Sequence, residues 1–323
     1  MTNENKLSEK LSSRRFKNGA AIPVENVVFT IQDKTIGCTQ SFVTFSGLPK
    51  QGKSLFITSA IASAFNQNKV FNMKINFPKN RERLCYIDTE SSDYDYYKVL
   101  ERMRKQMQLP QLPENFDSFL FREDSHSDII EMIEIYLKQN KDCSVLVIDG
   151  VLDLIADFNN VEQSFHLIQW LKKISKVHDL LIFLVLHLGK KDGNTLGHIG
   201  SYLDRKSQSV LKIEKNKQQK TIDLTAQFLR SADDIDPVCI KHDGQKWIQT
   251  DPVLEANTPT WTKDKMDLIN RLLNEPKEYK TLVELLSELI GKGQTTAKRM
   301  IKNWIDDGSI YKDGNVYKQK GGF

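Results

Sequence analysis

Eight consecutive residues, Gly47-Leu48-Pro49-Lys50-Gln51-Gly52-Lys53-Ser54, have the types and spacing needed to hold a chain of phosphates. The two glycines of Gly-x-x-x-x-Gly-Lys-Ser let backbone N–H groups turn inward, and a helix starting there points its positive end at the same anion. Lys53 then supplies a point charge for the terminal phosphates and Ser54 a hydroxyl ligand for Mg²⁺, so the nucleotide-contacting stretch is read as Gly47 to Leu55. Three more polar residues follow apolar runs: Glu90 after Leu84-Cys85-Tyr86-Ile87-Asp88-Thr89, Asp149 after Val145-Leu146-Val147-Ile148, and His187 after Leu180 to Leu186. A carboxylate at the end of a buried strand can deprotonate water or reach a metal ion through its water shell. Glu90 is therefore the candidate general base and Asp149 the candidate metal carboxylate, with Asp88 facing the same edge as Glu90. His187 is a candidate nucleotide sensor, its alternative being a satisfied core histidine.

Repeating strand and helix patterns must position these groups. Ser41 to Ser46 is apolar and β-branched, and Leu55 to Phe65 is apolar at helical spacing, giving the strand, loop and helix that the phosphate loop requires. Amphipathic helices are predicted over Tyr97 to Met107, Ser127 to Asn140 with Ser127 as cap, and Val161 to Val177. They alternate with the apolar strands, so the fold class is α/β: a mainly parallel sheet flanked by helices, with the strands' carboxyl ends facing the ligand. Asn26 to Thr35 is predicted as one strand, Phe71 to Arg81 as a small hairpin, and Gly189 to Lys206 as a mobile loop. Ser209 to Glu214, Thr221 to Phe228 and Val238 to Lys241 alternate like antiparallel strands that complete the sheet.

Composition sets the class. The 323 residues are 39% apolar and 27% charged, which excludes a disordered chain. No apolar run is long enough to cross a membrane and Met1 to Asn18 has no signal-peptide core, so no membrane partner and a cytoplasmic location are expected. Cys38, Cys85, Cys143 and Cys239 are scattered and are expected as buried, reduced thiols. Net charge is +4, but residues 1–20 carry five basic and two acidic residues and residues 260–323 carry twelve and nine. Basic ends on a mildly acidic body are compatible with nucleic-acid contact, and equally with solvated lysines.

Four segments follow: a flexible arm over residues 1–20, a nucleotide domain over 21–250, a linker over 251–261 and a small domain over 262–323. The last contains three helical patterns, then alternating residues around Asp313-Gly314 that predict a hairpin. Three helices and a two-stranded wing make a winged-helix arrangement, which sets its third helix in the major groove of duplex DNA and its wing on phosphates. Lys298, Arg299 and Lys302 fall on that third helix. Winged helices also serve as protein-interaction modules.

Taken together, the phosphate loop, Tyr86-Ile87-Asp88-Thr89-Glu90, Val147-Ile148-Asp149-Gly150 followed by Asp153-Leu154-Ile155, and the strand ending at His187 before a Gly- and Lys-rich loop resemble RecA-like ATPases of the plasmid RepA hexameric helicase branch. The likeness covers about residues 20–250. It implies a RecA-like core in a homohexameric ring, ATP and Mg²⁺ between subunits, Glu90 in water activation, Asp149 at the metal and His187 sensing the γ-phosphate. It also implies single-stranded DNA inside the ring, with Asn159, Asn160, Lys190 and Lys191 as loop contacts, and an arginine finger for which Arg205 and Arg230 are candidates. The added winged helix implies recruitment to a DNA site or partner during replication or mobilisation of a plasmid or mobile element. A nucleotide-switched DNA-binding regulator and a filament-forming recombination mediator remain alternatives.

Overall fold

Uninterrupted apolar strands make the centre of this molecule and half-polar strands its margins. In the computed structural model residues 3–16, 18, 25–189, 197–231, 234–251, 260–290, 293–306 and 308–319 are described. The chain divides into two compact units, Met1–Pro252 and Val253–Phe323.

The first unit begins with a helix, α1 (Asn3–Ser13), where a flexible arm is expected; none of its residues is buried. β1 (Val27–Ile31) and β2 (Lys34–Cys38) form an antiparallel hairpin rather than one strand. Gln32 and Asp33 both take positive φ, 53° and 64°, a two-residue turn that carries no glycine to announce it. β3 (Ser41–Gly47) runs into the phosphate loop, and α2 (Lys53–Phe65) leaves it. The hairpin expected over residues 71–81 is a short strand, β4 (Met73–Ile75), which pairs with β1; a tight turn at Phe71 and Asn72, both at positive φ, folds the preceding chain back on it only through the single bridge Val70–Met73.

The next elements alternate: β5 (Arg83–Asp88), α3 (Asp93–Met107), β6 (Phe116–Leu120), α4 (His126–Gln139), β7 (Cys143–Asp149), α5 (Val161–Val177) and β8 (Leu181–His187). α4 is capped by Ser125, whose Oγ accepts Asp128 N–H at 3.2 Å, rather than by Ser127. The expected loop over 189–206 contains a helix, α6 (Gly197–Lys206), because Ile199 and Leu203, one turn apart, bury themselves in the core. β9 (Ser209–Asn216), β10 (Thr221–Leu229), β11 (Val238–His242) and β12 (Trp247–Thr250) complete the unit.

Nine strands form one sheet in the order β12-β11-β10-β9-β3-β8-β7-β5-β6. The pairs from β9 through β3, β8, β7 and β5 to β6 are parallel, and those from β9 to β12 antiparallel. The fold is thus α/β with a large, mainly parallel sheet flanked by helices, consistent with a RecA-like P-loop architecture. One face packs α2 and α3 through residues such as Phe56, Ile61 and Met103; the other packs α4, α5 and α6 through Ile133, Leu171 and Leu203. Burying such residues on both faces drives assembly at roughly 25 cal/mol per Å² of apolar surface. All four cysteines are free and buried. Among the described residues no helix is long and apolar enough to cross a membrane.

The second unit contains α7 (Thr260–Leu272), a two-residue strand β13 (Lys277–Glu278), α8 (Tyr279–Ile290), α9 (Gln294–Asp306) and the hairpin β14 (Ile310–Asp313) and β15 (Val316–Gln319). β15 lies between β13 and β14. Its core holds Ile269, Leu282, Leu286, Ile301, Trp304 and Ile310, all buried. Most of the expected linker over 251–261 lies outside the described residues.

Candidate active site

Strand register decides which residues meet. Gly47 pairs with His187 across β3 and β8, and Asp88 pairs with Asp149 across β5 and β7, so four strand ends arrive at one edge. α2 starts there with Gly52 as its N-terminal cap at φ 97°. A Cβ on Gly52 would lie 2.7 Å from Ile222 Cδ1, and one on Gly47 would lie 2.5 Å from the Ile213 carbonyl oxygen. The loop therefore needs glycine at both places, once for backbone angle and once for the approach of β9.

A cavity of about 390 Å³ opens at this edge, lined by Lys50, Gly52, Lys53, Ser54 and Leu55 on one side and Asp88, Glu90, Asp149 and His187 on the other. Lys53 Nζ donates to the carbonyls of Gly47 and Leu48, both at 2.9 Å, and to His187 Nδ1 at 3.0 Å. An ammonium has no lone pair, so Nδ1 accepts and the imidazole proton sits on Nε2. Nε2 then donates to Glu90 Oε2 at 3.1 Å. The chain Lys53, His187, Glu90 therefore links the start of α2 to the end of β8 and to the loop after β5 by hydrogen bonds.

The charges of the cavity are held away from their ordinary equilibria. Burial pushes Lys53 down to about 8, against the pull of Glu90 and Asp149. Burial, then the negative charges of Asp88 and Glu90, push Asp149 up to about 7. The hydrogen bond from His187 holds Glu90 below the usual carboxylate range, against a desolvation that raises it. Tyr86, fully buried, places its hydroxyl 3.1 Å from both Asp88 Oδ2 and Asp149 Oδ2. Asp88 Oδ1 in turn accepts the backbone N–H groups of Glu90 and Ser91 at 3.0 and 2.8 Å, which fixes the start of the loop that carries Glu90.

This donor set fits Mg²⁺. Ser54 and Asp149 line the same cavity, both are hard oxygen ligands, and Asp149 lies among carboxylates whose repulsion a divalent cation would relieve. Mg²⁺ bound there would take Ser54, Asp149, water and phosphate oxygens.

Other expected site residues lie elsewhere. Pro49 and Gln51 belong to the phosphate loop, and Gln51 Oε1 accepts the Lys215 backbone N–H at 2.6 Å, tying the loop to β9. Arg205 donates to Ser201 O and Oγ, both at 3.0 Å, and its guanidinium stands 5.5 Å from the centre of the Tyr202 ring. Arg230 donates to the Arg205 carbonyl at 3.1 Å, so the two finger candidates adjoin each other and neither lines the nucleotide cavity. Asn160 caps α5 by accepting Gln163 N–H at 3.0 Å, and Asn159 is exposed. Lys298 and Lys302 are exposed on α9; Lys190, Lys191 and the Arg299 side chain lie outside the described residues.

Arg102, Tyr86, Ile222 and Trp247 enter the site without having been read from the sequence. Arg102 had a faint signal: it adjoins the buried stripe of α3 formed by Val99, Met103 and Met107. Trp247 had none, since its position depends on three antiparallel pairings in series.

No curated protein matches the sequence. Residues 37–193, from β2 to just beyond β8, match the family model described as an AAA domain. That span contains the phosphate loop, Glu90, Asp149 and His187, the features of a P-loop ATPase domain in general.

Proposed function

We propose that this protein hydrolyses ATP with Mg²⁺ and couples hydrolysis to movement on DNA, as a RepA-like hexameric helicase or translocase serving a plasmid or mobile element. The observation that carries the catalytic half is the hydrogen-bonded chain Lys53, His187, Glu90 in the cavity that Asp149 also lines. The Glu90 carboxylate takes a proton from water, the water oxygen bonds to the terminal phosphorus, and the bond from that phosphorus to the bridging oxygen breaks, releasing ADP and phosphate. Mg²⁺ neutralises charge on the phosphate oxygens when bound. Lys53 leaves its carbonyl partners for phosphate oxygens, and His187, bonded to both Lys53 and Glu90, is placed to register the exchange.

The coupling half rests on the second unit and on the basic termini. Three helices with a three-stranded sheet, and exposed Lys298 and Lys302 on α9, suit a winged-helix contact with duplex DNA. Single-stranded DNA inside a homohexameric ring, reached by loops that include Lys190 and Lys191, would be bound through phosphate charge, hence salt-sensitively.

The test is the ATPase rate with and without single-stranded DNA at two salt concentrations, for wild type and Lys53→Ala. Stimulation that needs Lys53 and disappears with salt is the expected result. The motor reading fails if turnover is indifferent to single strands while duplex binding depends on ATP, and the nucleotide-switched regulator then takes its place.

A further inference from the structure

The small sheet of the second unit carries a tyrosine between two lysines. Tyr317 of β15 pairs with Lys277 of β13 on one side and with Lys312 of β14 on the other, and residues paired across antiparallel strands share a face. Tyr279, the first residue of α8, brings its ring to 5.7 Å from that of Tyr317 at an interplanar angle of 48°. A cleft of about 360 Å³ opens there, lined by Glu278, Tyr279, Lys280, Lys312, Asn315 and Tyr317.

The cations around this cleft fall into two groups. Lys277 is held by Glu275 at 2.8 Å and Lys318 by Asp313 at 2.6 Å. Lys280 and Lys312 are exposed and make no hydrogen bond or ion pair among the described residues. Glu278 is the single acid among the described lining residues, so the two lysines leave the cleft net positive. Tyr317 is half-buried against the core of the unit, and Tyr279 is 38% exposed.

Exposed aromatic faces beside unpaired cations suit a ligand that is both planar and anionic. A nucleotide unit is both, since its base stacks on a ring and its phosphate meets an ammonium. Duplex DNA covers its base faces by stacking, whereas an unpaired strand offers them. α9 differs in kind: Lys298 and Lys302 are exposed on it, but its one aromatic, Trp304, is 1% exposed, so it offers charge without a ring.

We propose that this cleft binds a single-stranded polynucleotide, with a base stacked on Tyr317 and Tyr279 and the flanking phosphates held by Lys280 and Lys312. This goes beyond the duplex contact of α9 and requires neither ATP nor a ring.

The test uses the full-length protein without nucleotide, fluorescent oligothymidylate and oligouridylate, a duplex of equal length, and an oligothymidylate carrying an iodouracil for photocrosslinking. Cross-links mapped by mass spectrometry should fall on Tyr317 or Tyr279. Tyr317→Ala should weaken single-strand binding by about 5- to 100-fold, and duplex binding by much less. Tyr317→Phe keeps the ring and should stay within about threefold of wild type. Lys280→Ala with Lys312→Ala, both at exposed positions, should lower the salt slope of oligothymidylate binding by about 0.7 per lysine. Because Tyr317 touches the core, melting curves accompany its variants, and the lysine pair tests the cleft without disturbing the fold. Cross-links confined to Met1–Pro252 overturn the proposal. So does an equal loss for duplex and single strand in Tyr317→Ala at unchanged melting temperature, or an unchanged salt slope in the lysine pair, either of which turns the cleft into a candidate protein contact. Binding of neither oligomer overturns it as well, and tighter binding of one identifies the strand as DNA or RNA. Since no nucleotide is present, each outcome leaves the ATPase reading to its own test.

Discussion

The two edges of the central sheet treat their charged side chains in opposite ways. At the amino edge Arg81 donates to the Asp179 carboxylate at 2.9 Å and to the carbonyls of Cys143, Asp179 and His178. Arg83 bridges Asp142 and Asp117 at 3.0 and 2.8 Å, and Tyr136 adds its hydroxyl to Asp117 at 2.6 Å. Both arginines meet carboxylates, and Arg83 is held above its usual range by those bonds. At the carboxyl edge Lys53 is bound to carbonyls and an imidazole nitrogen, Asp149 lies among other acids, and Arg102, which lines the same cavity, makes no hydrogen bond or ion pair among the described residues. Charges that satisfy each other tie strands together, and charges left unsatisfied keep free energy available for a ligand.

Single substitutions should therefore separate the edges. The largest effect is expected from Glu90→Gln, which keeps the shape and the contact with His187 but removes the proton acceptor. Turnover should fall by about 10² to 10⁴-fold with nucleotide binding and melting temperature kept. A variant that hydrolyses within tenfold of wild type would remove Glu90 from the role of base. Next is Arg81→Ala, which removes the side-chain donor of four carbonyls and of the Asp179 carboxylate and should cost about 1–3 kcal/mol of stability by denaturant unfolding. Its turnover per folded molecule should match wild type; a large loss of turnover at unchanged stability would erase the contrast between the edges.

Smaller effects sharpen it. Lys298→Ala with Lys302→Ala, on exposed α9 positions, should lower the salt slope of duplex binding by about one per lysine and leave DNA-independent ATPase unchanged. An unchanged slope would redirect the second unit toward a protein partner. The smallest effect concerns pH. Asp149 titrates near 7 when folded and near 3.8 when not, so between these values the folded state holds the extra proton and stability falls as pH rises. Lys53 titrates near 8 folded and 10.5 unfolded, so across that interval the unfolded state holds the extra proton and stability rises with pH. Melting curves without nucleotide should show the first slope flattened in Asp149→Asn; parallel curves for variant and wild type would refute it.

Much of this site was legible in one dimension. Gly47, Gly52, Lys53 and Ser54 fall within eight consecutive residues, so their spacing alone carries the phosphate-loop pattern. Glu90, Asp149 and His187 could be found because a polar residue ending a buried parallel strand has one place to go. Local periodicity failed where a tertiary partner decided the outcome. The polar segment before Ser209 became α6 because Ile199 and Leu203 found the core, and the glycine-free turn at Gln32 and Asp33 split a predicted strand.

The sequence by itself thus determined the class of fold, the phosphate loop and the order of the polar strand ends, because each follows from spacing within a short segment. Only the tertiary structure decided that Lys53 and Glu90 share His187, that Tyr86 stands between Asp88 and Asp149, and that Arg102 reaches the cavity while Arg205 and Arg230 do not. Those facts depend on strand order, register and the rotation of a helix against the sheet, which contacts between residues far apart in the chain fix and no local pattern encodes.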